Sequence, residues 1–285
     1  MANPALRELI SKGGVITAAG CFDPFSARIA AEAGFEVVYM TGNGASAVRL
    51  GSPDVGLMTL TEMADQASRI ANAVDVPLIA DADTGFGGAL SVIRAVEAYE
   101  RAGVAALHLE DQAMPKRCGH LDGKELVSVS EHAGRIRAAA DARTASGPLI
   151  IGRSDAVSVE GTDAAIERAL AYGEAGADLL FLEGLPDEGA ITRAVEVLGQ
   201  WPLVYAWVEG RGPRLTATQL GELGMKVVIF PITAVLATLH NLRRLYATLR
   251  TDGTPVAMMD QMATFEEFND FMGASDAAEI ESRYT

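Results

Sequence analysis

The sequence LHLEDQAMPKRCGH, residues 107–120, decides the fold. It begins in an apolar run, continues into the adjacent acids Glu110 and Asp111, and opens into a polar segment that ends at His120. A buried strand that ends on carboxylates and continues into a loop is typical of α/β enzymes. These enzymes bind ligands at the carboxyl ends of parallel strands. We therefore expect a functional site where this strand ends.

A second stretch has the same form. Residues 76–80, VPLIA, run into Asp81-Ala82-Asp83 and then into the glycine-rich turn TGFGG, residues 84–88. A further acid, Asp54, lies in a loop between Pro53 and Gly56. The two predicted strands thus deliver acids to one edge of a sheet.

Apolar segments alternate with helical patterns along most of the chain. The predicted strands are residues 14–19, 35–40, 76–81, 105–110, 148–152, 178–182, 203–207 and 226–230. This alternation predicts a parallel sheet, and eight units favour closure into a (β/α)8 TIM barrel. Thr59 with Glu62 three residues later predicts a capping box, and we expect Ser130 to cap another helix. Residues 41–44 are predicted to form a turn.

The tail of the chain differs from the repeating part. Residues 1–253 contain no linker or change of composition and are predicted to form the catalytic barrel. Residues 254–285 are predicted to form a helical tail. The tail carries an apolar face at roughly helical spacing, formed by Met258, Met259, Met262, Phe265, Phe268, Phe271 and Met272. This face could pack on its own barrel or on another subunit.

Composition limits the partners. The chain has 285 residues, 49% of them hydrophobic and 6% aromatic, and a formal net charge of −15. This charge argues against a nucleic acid or an anionic membrane as a partner. The N-terminus lacks the apolar core of a signal peptide, and no apolar run reaches the roughly 20 residues of a membrane span. We therefore expect a cytoplasmic protein in which Cys21 and Cys118 are free thiols.

Four acids suggest a metal site. Asp81 and Asp83 are predicted to point to the same side of their strand because side chains alternate with period two. Together with Glu110 and Asp54 they offer hard oxygen ligands, which favour Mg²⁺ or Mn²⁺ over zinc. Mg²⁺ takes only one or two carboxylates directly, so some of these acids would bind through water. Alternatively, acids at strand ends are solvated or cap helices.

Cys118 is the second candidate for chemistry. Lys116, Arg117 and His120 surround it in sequence and would stabilise a thiolate, lowering the pKa of the thiol. Such a thiol suits proton transfer or nucleophilic attack, although a single exposed cysteine is often inert. Cys21 is predicted to lie in the core.

Charged residues also follow the later strands. Arg153 and Arg211 could each clamp a carboxylate with two hydrogen bonds, and Glu183 ends the sixth strand. Each of them could instead form a salt bridge at the rim. His108, inside a strand, is interpreted as a buried structural histidine.

These residues together resemble the isocitrate lyase/phosphoenolpyruvate mutase superfamily. Residues 116–120, KRCGH, are similar to its lyase signature, and residues 81–87, DADTGFG, to its metal-binding strand end. Residues 109–112, 152–156 and 53–56 fit as well. The length resembles the short branch, which holds 2-methylisocitrate lyase, 2,3-dimethylmalate lyase and the petal death protein. The tail sequence, residues 260–265, is most similar to the alkylmalate-cleaving members.

The resemblance implies a barrel whose last helix is swapped between subunits, in a homotetramer made of two helix-swapped dimers. It implies Mg²⁺, with Mn²⁺ as a substitute, held by Asp81, Asp83 and Glu110, partly through water, with Asp54 nearby. It implies catalytic roles for Tyr39, Lys116, Cys118, His120, Arg153 and Glu183. It implies substrate binding by Thr41, Gly42, Asn43, Asp81, Gly119, His120, Arg153 and Trp207.

The resemblance also implies a reaction. A 2-hydroxy dicarboxylate or tricarboxylate would be cleaved at a C–C bond to a 2-oxo acid such as pyruvate and a carboxylate such as succinate. Tyr39 would take the hydroxyl proton, Cys118 would protonate the carbanion-like product, and Arg153 would hold developing charge. The loop that carries Cys118 would close over the substrate.

Two departures from the related lyases bear on the substrate. Trp207 stands where they have asparagine, so we expect a tighter or more apolar pocket that disfavours the tricarboxylate 2-methylisocitrate. The turn at residues 41–44 differs as well. Oxaloacetate hydrolysis or decarboxylation, phosphonate mutase chemistry, and a catalytically silent 2-oxo-acid binder remain as alternatives.

Overall fold

The protein, described by a computed structural model over residues 2–285, forms a closed parallel barrel. The strands in these residues are β1 (Ile16–Cys21), β2 (Val37–Met40), β3 (Leu78–Asp81), β4 (Ala106–Glu110), β5 (Leu149–Ser154), β6 (Leu179–Leu182), β7 (Leu203–Ala206) and β8 (Val227–Phe230). Each strand pairs in parallel with the next one along the chain, and β8 closes the barrel against β1. The predicted (β/α)8 fold is confirmed.

Helices follow the strands. Their bounds are α1 (Ala2–Ser11), α2 (Pro24–Glu32), α3 (Gly42–Leu50), α4 (Leu60–Ala71), α5 (Ala89–Arg101), α6 (Val129–Ala142), α7 (Thr162–Glu174), α8 (Glu188–Leu198), α9 (Ala217–Glu222), α10 (Thr233–Asp252), α11 (Phe265–Met272) and α12 (Ala274–Ser282). Short 3₁₀ turns lie at Ala156–Ser158 and Val256–Gln261.

Strand register brings the polar strand ends together. Asp81 of β3 lies beside His108 of β4, and Glu110 of β4 lies beside Arg153 of β5. Arg153 is in turn paired with Phe181 of β6. Because all strands run the same way, these residues meet at one end of the barrel.

The apolar residues form two layers. The barrel interior is filled by a cluster that contains Tyr39, Ile79 and Phe181, joined by Leu6 of α1. A larger layer lies between the strands and the surrounding helices and contains Cys21, which is fully buried as predicted. This packing makes the barrel a solid core, so the polar site can form only at its end.

Two helix starts differ from the sequence-based prediction. Residues 41–44 were predicted to be a turn, but Thr41 caps α3, and its hydroxyl accepts a hydrogen bond from the Gly44 amide. Two glycines in the first turn weaken the helical pattern and conceal this start. The α6 helix is capped by Ser128 and not by Ser130. The capping box of Thr59 and Glu62 is confirmed.

The chain divides into two compact units, one reaching to Val235 and the other comprising Leu236–Thr285. This division falls earlier than the boundary expected after Gly253, which stays a prediction. Within the second unit, the Arg244 guanidinium donates to Gln261 Oε1 at 3.1 Å. Many of its apolar side chains are exposed, among them Leu239, Tyr246 and Phe265. Over residues 2–285, no helix combines the length and the apolar character needed to cross a membrane.

Barrel closure depends on a glycine. A Cβ atom at Gly20 of β1 would collide with the backbone carbonyl oxygens of Phe230 and Pro231. We expect Gly20→Ala to lower the free energy of unfolding by about 1–3 kcal/mol, the usual cost of overpacking. The control is Gly13→Ala, where an added Cβ meets nothing within 4 Å, and its effect should stay within about 0.5 kcal/mol. Denaturant titration measures both, and equal effects would contradict this account of β1–β8 closure.

Candidate active site

A cavity of about 240 Å³ opens at the carboxyl ends of the strands. This volume lies just below the roughly 300–1,000 Å³ that ligand pockets usually span, so it suits a small molecule. The cavity is lined by Tyr39, Thr41, Asn43, Asp54, Asp81, Cys118, Gly119, His120, Leu121, Arg153, Glu183, Ala206, Val208, Glu209, Arg211, Ile229, Pro231 and Ile232.

Asp81 and Asp83 are both buried at the end of β3. The strand stops at Asp81, and Asp83 adopts a left-handed conformation with φ of 48°, so strand alternation does not set its direction as we predicted. Asp81 Oδ1 accepts the Asp83 amide at 2.9 Å, and Asp81 Oδ2 accepts the Gly42 amide at 3.2 Å. A positive φ at a non-glycine residue stores strain and is common at functional sites.

Lys116 is buried between two of the predicted metal-binding acids. Its ammonium group lies 2.6 Å from Asp54 Oδ1 and also forms an ion pair with Asp83 Oδ1. The sequence placed Lys116 beside Cys118, but in the structure its charge points toward the acids. This ion pair links the Cys118 loop to the loop that carries Asp54.

Arg153 is the centre of a second buried cluster. Its Nη2 atom lies 3.0 Å from Asp155 Oδ1, 3.2 Å from Glu183 Oε2 and 3.4 Å from Glu110 Oε2. The guanidinium also lies over the Phe181 ring at 5.1 Å. Loss of the Arg153 charge would leave three buried carboxylates without this ion-pair partner. The Arg153 contacts therefore hold the three carboxylates in place around the site.

Tyr39 and His108 form a pair on the floor of the cavity. Tyr39 Oη lies 2.8 Å from His108 Nε2, and His108 Nδ1 lies 3.8 Å from Asp81 Oδ1. Burial lowers the pKa of His108 to about 4, so its ring is neutral at pH 7. Burial also raises the pKa of Tyr39 well above its usual value. His108, which we interpreted as purely structural, therefore contacts a predicted catalytic residue.

The site holds more negative than positive charge. Six buried carboxyl groups, those of Asp54, Asp81, Asp83, Glu110, Asp155 and Glu183, surround the two buried cations Lys116 and Arg153. Burial raises the pKa of Asp83 to about 6 and that of Glu110 well above its usual value. Additional positive charge would therefore stabilise these carboxylates.

A divalent cation fits this donor set. Glu110 Oε1 is buried and has no hydrogen-bond partner, and all the candidate ligands are hard oxygens. Among residues 2–285, no three histidine, cysteine, aspartate or glutamate side chains are arranged to hold a metal directly. Mg²⁺ usually keeps several waters and takes only one or two carboxylates directly.

Cys118 lines the cavity on the loop above the acids. Burial raises the pKa of its thiol, so the prediction of a lowered pKa is wrong. The basic neighbours point elsewhere, since Lys116 contacts the acids and the Arg117 guanidinium donates to the carbonyl of Asp122. The thiol of Cys118 is therefore protonated at pH 7 and suits a proton donor.

Gly119 lets the Cys118 loop approach the Arg153 cluster. A Cβ atom at this position would lie 2.6 Å from Arg153 Nη2, 2.6 Å from Glu183 Cγ and 2.7 Å from Asp155 Oδ1. Next to it, His120 Nε2 lies 3.1 Å from Glu183 Oε1. Only glycine allows this contact, so the loop is packed down on the site.

The base of this loop is fixed by Gln112. Its side-chain oxygen accepts the Arg117 amide at 2.9 Å, and its side-chain nitrogen donates to the Arg117 carbonyl at 2.8 Å. The Cys118 amide donates to the Asp54 carbonyl at 3.0 Å. Backbone and side-chain bonds together hold Cys118 above the strand ends.

Two predicted substrate contacts, Gly42 and Trp207, are not among the residues that line the cavity. Trp207 is not among the cavity-lining residues, because its indole donates to the Leu215 carbonyl at 2.9 Å and packs against Phe230. Ala206 and Val208, on either side of it in sequence, line the cavity instead. The expectation that Trp207 narrows the pocket is therefore wrong.

Asp155 and Glu209 belong to the site but were not predicted from the sequence. Asp155 contacts Arg153, and its amide donates to Asp111 Oδ1 at 2.9 Å. Glu209 lines the cavity, and its carboxylate oxygens are buried without a hydrogen-bond partner. Their positions just after β5 and β7 were the signal that could have identified them.

The barrel and its site define a class of protein: a (β/α)8 enzyme whose acidic strand ends and thiol-bearing loop enclose a cavity for a small molecule. The chain belongs to the phosphoenolpyruvate phosphomutase family, whose model matches residues 6–250, within the superfamily that includes isocitrate lyase. This confirms the resemblance noted in the sequence.

Named relatives are similar over nearly the whole chain. The 2,3-dimethylmalate lyase of Eubacterium barkeri is 44% identical, covering 98% of this chain and 96% of that protein. The 2-methylisocitrate lyase of Aeropyrum pernix is 42% identical, covering 95% of this chain and 87% of that protein. These close relatives are carbon–carbon lyases.

Solved structures agree with the fold. A 2,3-dimethylmalate lyase superposes with a TM-score of 0.93 at 37% identity, covering all of this chain and 96% of that one. An oxaloacetate acetylhydrolase bound to 3,3-difluorooxalacetate superposes with a TM-score of 0.92 at 38% identity, covering 99% of this chain and 96% of that one. A phosphonopyruvate hydrolase bound to oxalate and Mg²⁺ superposes with a TM-score of 0.89 at 32% identity, covering all of this chain and 99% of that one.

The packing of Gly119 can be tested without a substrate. We expect Gly119→Ala to loosen the loop and to raise the rate at which iodoacetamide alkylates Cys118 at least about tenfold, which corresponds to 1.4 kcal/mol. The other cysteine, Cys21, is fully buried and should not react. Gly134→Ala is the control, because an added Cβ there meets nothing within 4 Å. Equal alkylation rates in both variants would show that Gly119 does not hold the loop.

Proposed function

We propose that the protein is a Mg²⁺-dependent carbon–carbon lyase, with Mn²⁺ as a substitute. It would cleave a 2-hydroxy dicarboxylate or tricarboxylate, a 2-alkylmalate or 2-methylisocitrate, to a 2-oxo acid such as pyruvate and a carboxylate such as succinate. One observation carries this proposal: the protonated Cys118 thiol lines a small cavity together with Asp81 of β3, Arg153 and Glu183. The named relatives support it.

The 2-oxo-acid half of the substrate is proposed to lie at the start of α3. Thr41 and Asn43 line the cavity there, and Gly42 is held against Asp81. A Cβ atom at Gly42 would lie 2.5 Å from Asp81 Oδ2, so glycine lets the helix start approach the acid. The amides of a helix N-terminus favour a carboxylate.

Asp81, Asp83 and Glu110 are proposed to hold the metal, partly through water, with Asp54 nearby. When bound, the Mg²⁺ ion would supply positive charge that stabilises the negative oxygen of the reacting carbon. The unpartnered Glu110 Oε1 and the excess of buried carboxyl groups support this assignment. Lys116 would neutralise Asp54 and Asp83 and thereby couple loop position to the acids.

Tyr39 is proposed to take the hydroxyl proton together with His108. A phenol with a raised pKa is protonated at pH 7 and must lose its proton before it can accept another. The neutral ring of His108, 2.8 Å from Tyr39 Oη, offers an acceptor for that proton. The pair can therefore relay a proton that the phenol alone could not remove.

Cys118 is proposed to donate a proton to the carbanion-like product after the C–C bond breaks. A thiol whose pKa is raised by burial keeps its proton until a strong base forms beside it. Arg153, held by Glu110, Asp155 and Glu183, would stabilise negative charge that develops on the product. His120, paired with Glu183, and Gly119 would contact the substrate from the loop.

Oxaloacetate hydrolysis is the second candidate. The similarity to an oxaloacetate acetylhydrolase bound to a difluorinated oxaloacetate favours it, and that reaction would release oxalate and acetate. Decarboxylation of oxaloacetate would give pyruvate and CO₂. Phosphonate mutase chemistry and silent 2-oxo-acid binding are less favoured because neither needs the Cys118 loop.

The assembly and location are also proposals. We propose a cytoplasmic homotetramer in which the C-terminal helices are swapped within each dimer. Exposed apolar side chains of the second unit, such as Leu239, Phe265 and Met272, support burial against another subunit. Free thiols at Cys21 and Cys118 support a reducing compartment.

The lyase is tested by pyruvate release with Mg²⁺ from 2-methylisocitrate, 2,3-dimethylmalate, citramalate and oxaloacetate. We expect metal-dependent pyruvate from a hydroxy acid, lost on addition of a chelator. Cys118→Ser should reduce cleavage about 10²–10⁴-fold because the general acid is gone. A loss below tenfold would count against the role of Cys118.

The same assay separates the alternatives. Pyruvate from oxaloacetate alone, unchanged in Cys118→Ser, would indicate decarboxylation. Oxalate and acetate would indicate hydrolysis. Binding of pyruvate without turnover of any candidate would indicate a silent binder.

The metal ligands can be tested without turnover. Mn²⁺ binding, followed by electron paramagnetic resonance, should weaken at least about tenfold in Glu110→Gln, because one carboxylate contributes on the order of 1.4 kcal/mol or more. The control is Asp122→Asn, an exposed acid on the Cys118 loop. If the two variants bound Mn²⁺ equally well, Glu110 would not belong to the metal site.

A further inference from the structure

Arg211 is a cation on the cavity wall whose guanidinium makes no ion pair or hydrogen bond with residues 2–285. The other cations at the cavity are already engaged. Arg153 contacts three carboxylates, and His120 contacts Glu183. Arg211 therefore has its full hydrogen-bonding capacity available to a ligand.

The backbone around Arg211 is held in a tight turn. The Arg211 amide donates to the Val208 carbonyl at 3.0 Å, and the glycines on either side, Gly210 and Gly212, have φ of 77° and 61°. A Cβ atom at Gly212 would lie 2.6 Å from Tyr205 Oη. The turn thus fixes the point from which the long Arg211 side chain extends.

The wall beside Arg211 is apolar. It is formed by Ala206, Val208, Ile229, Pro231 and Ile232, from the ends of β7 and β8 and the residues that follow them. Asp81 of β3 and the start of α3 line other parts of the cavity. The lining therefore offers a polar region for the reacting carbon, an apolar wall, the unpartnered carboxylate of Glu209 and one unpaired cation, Arg211.

We infer that Arg211 binds the substrate carboxylate remote from the reacting carbon, and that the apolar wall receives alkyl substituents. The preferred substrate is then an alkyl-substituted 2-hydroxy dicarboxylate and not a tricarboxylate. A third carboxylate would find no unpaired cation among the described lining residues, and burying an unpaired charge is costly. This inference rests on the proposed lyase function and names its substrate class.

Glu209 acts in the opposite direction. Its carboxylate oxygens are buried without a hydrogen-bond partner on the same wall. A carboxylate there repels the substrate carboxylate that Arg211 attracts. Neutralising Glu209 should therefore strengthen dicarboxylate binding, whereas neutralising Arg211 should weaken it.

Steady-state kinetics with Mg²⁺ and 2,3-dimethylmalate test the contact. We expect Arg211→Gln to raise KM about 10- to 100-fold, the range for a charge-assisted hydrogen bond. The kcat should stay within about threefold, because a contact with a non-reacting group is made equally in the ground and transition states. Arg211→Lys should recover part of the loss, and Glu209→Gln should lower KM.

The control is Arg214→Gln, an exposed arginine in the same loop that does not line the cavity. Its KM should remain within about twofold of the wild-type value. Calorimetry in the Cys118→Ser background separates binding from cleavage. In that background, Arg211→Gln should weaken the binding of 2,3-dimethylmalate. The affinity for pyruvate, which has one carboxylate, should stay within about twofold.

If Arg211→Gln weakened the binding of pyruvate and of 2,3-dimethylmalate equally, or weakened neither, the assignment of Arg211 would be overturned. Tighter binding of 2-methylisocitrate than of 2,3-dimethylmalate by the unsubstituted protein would overturn the dicarboxylate preference. If the unsubstituted protein bound 2,3-dimethylmalate through Arg211 and yet did not cleave it, that outcome would refute the lyase function but support the Arg211 assignment. A failure of one proposal can therefore be told from a failure of the other.

Discussion

The excess of buried negative charge at the strand ends is the constraint on which the rest of the site depends. Six carboxyl groups lie around two buried cations, and the ion pairs of those cations offset part of the negative charge. Arg153 contacts three acids, and Lys116 reaches down from the loop to two more. Such a cluster contributes little to the free energy of folding, because burying ions is costly even when they are paired. We therefore interpret it as a binding site for the proposed cation.

The loop that carries Cys118 is fixed by the same charges. Lys116 is drawn to Asp54 and Asp83, and Gly119 lies against the Arg153 cluster where no side chain fits. The thiol is thereby placed over the cavity in a partly desolvated setting that raises its pKa. One electrostatic arrangement thus determines the position of the loop and the protonation of its cysteine. It also links the acids proposed to bind the metal to the proposed proton donor.

The cavity can be divided by the chemistry of its walls. The β3 and α3 side is polar and suits an oxo acid, whereas the β7 and β8 side is apolar and ends at Arg211. This division agrees with cleavage of a molecule that carries alkyl groups between two carboxylates. Because Trp207 does not line the cavity, we propose that the loop after β7 selects the substrate.

Periodicity and motifs are local properties, so the sequence was enough to predict the eight-fold alternation, the acids at the ends of β3 and β4, and the family. It was not enough to predict the α3 start, where glycines conceal the helix, or the direction of Trp207, which follows from where β7 ends. The direction of the pKa shift of Cys118 emerged only from the folded protein, since burial outweighs the basic neighbours that adjoin it in sequence. The tertiary structure alone also decided the partners of Lys116 and the unpaired state of Arg211, because charges separated by many residues meet only when the barrel closes.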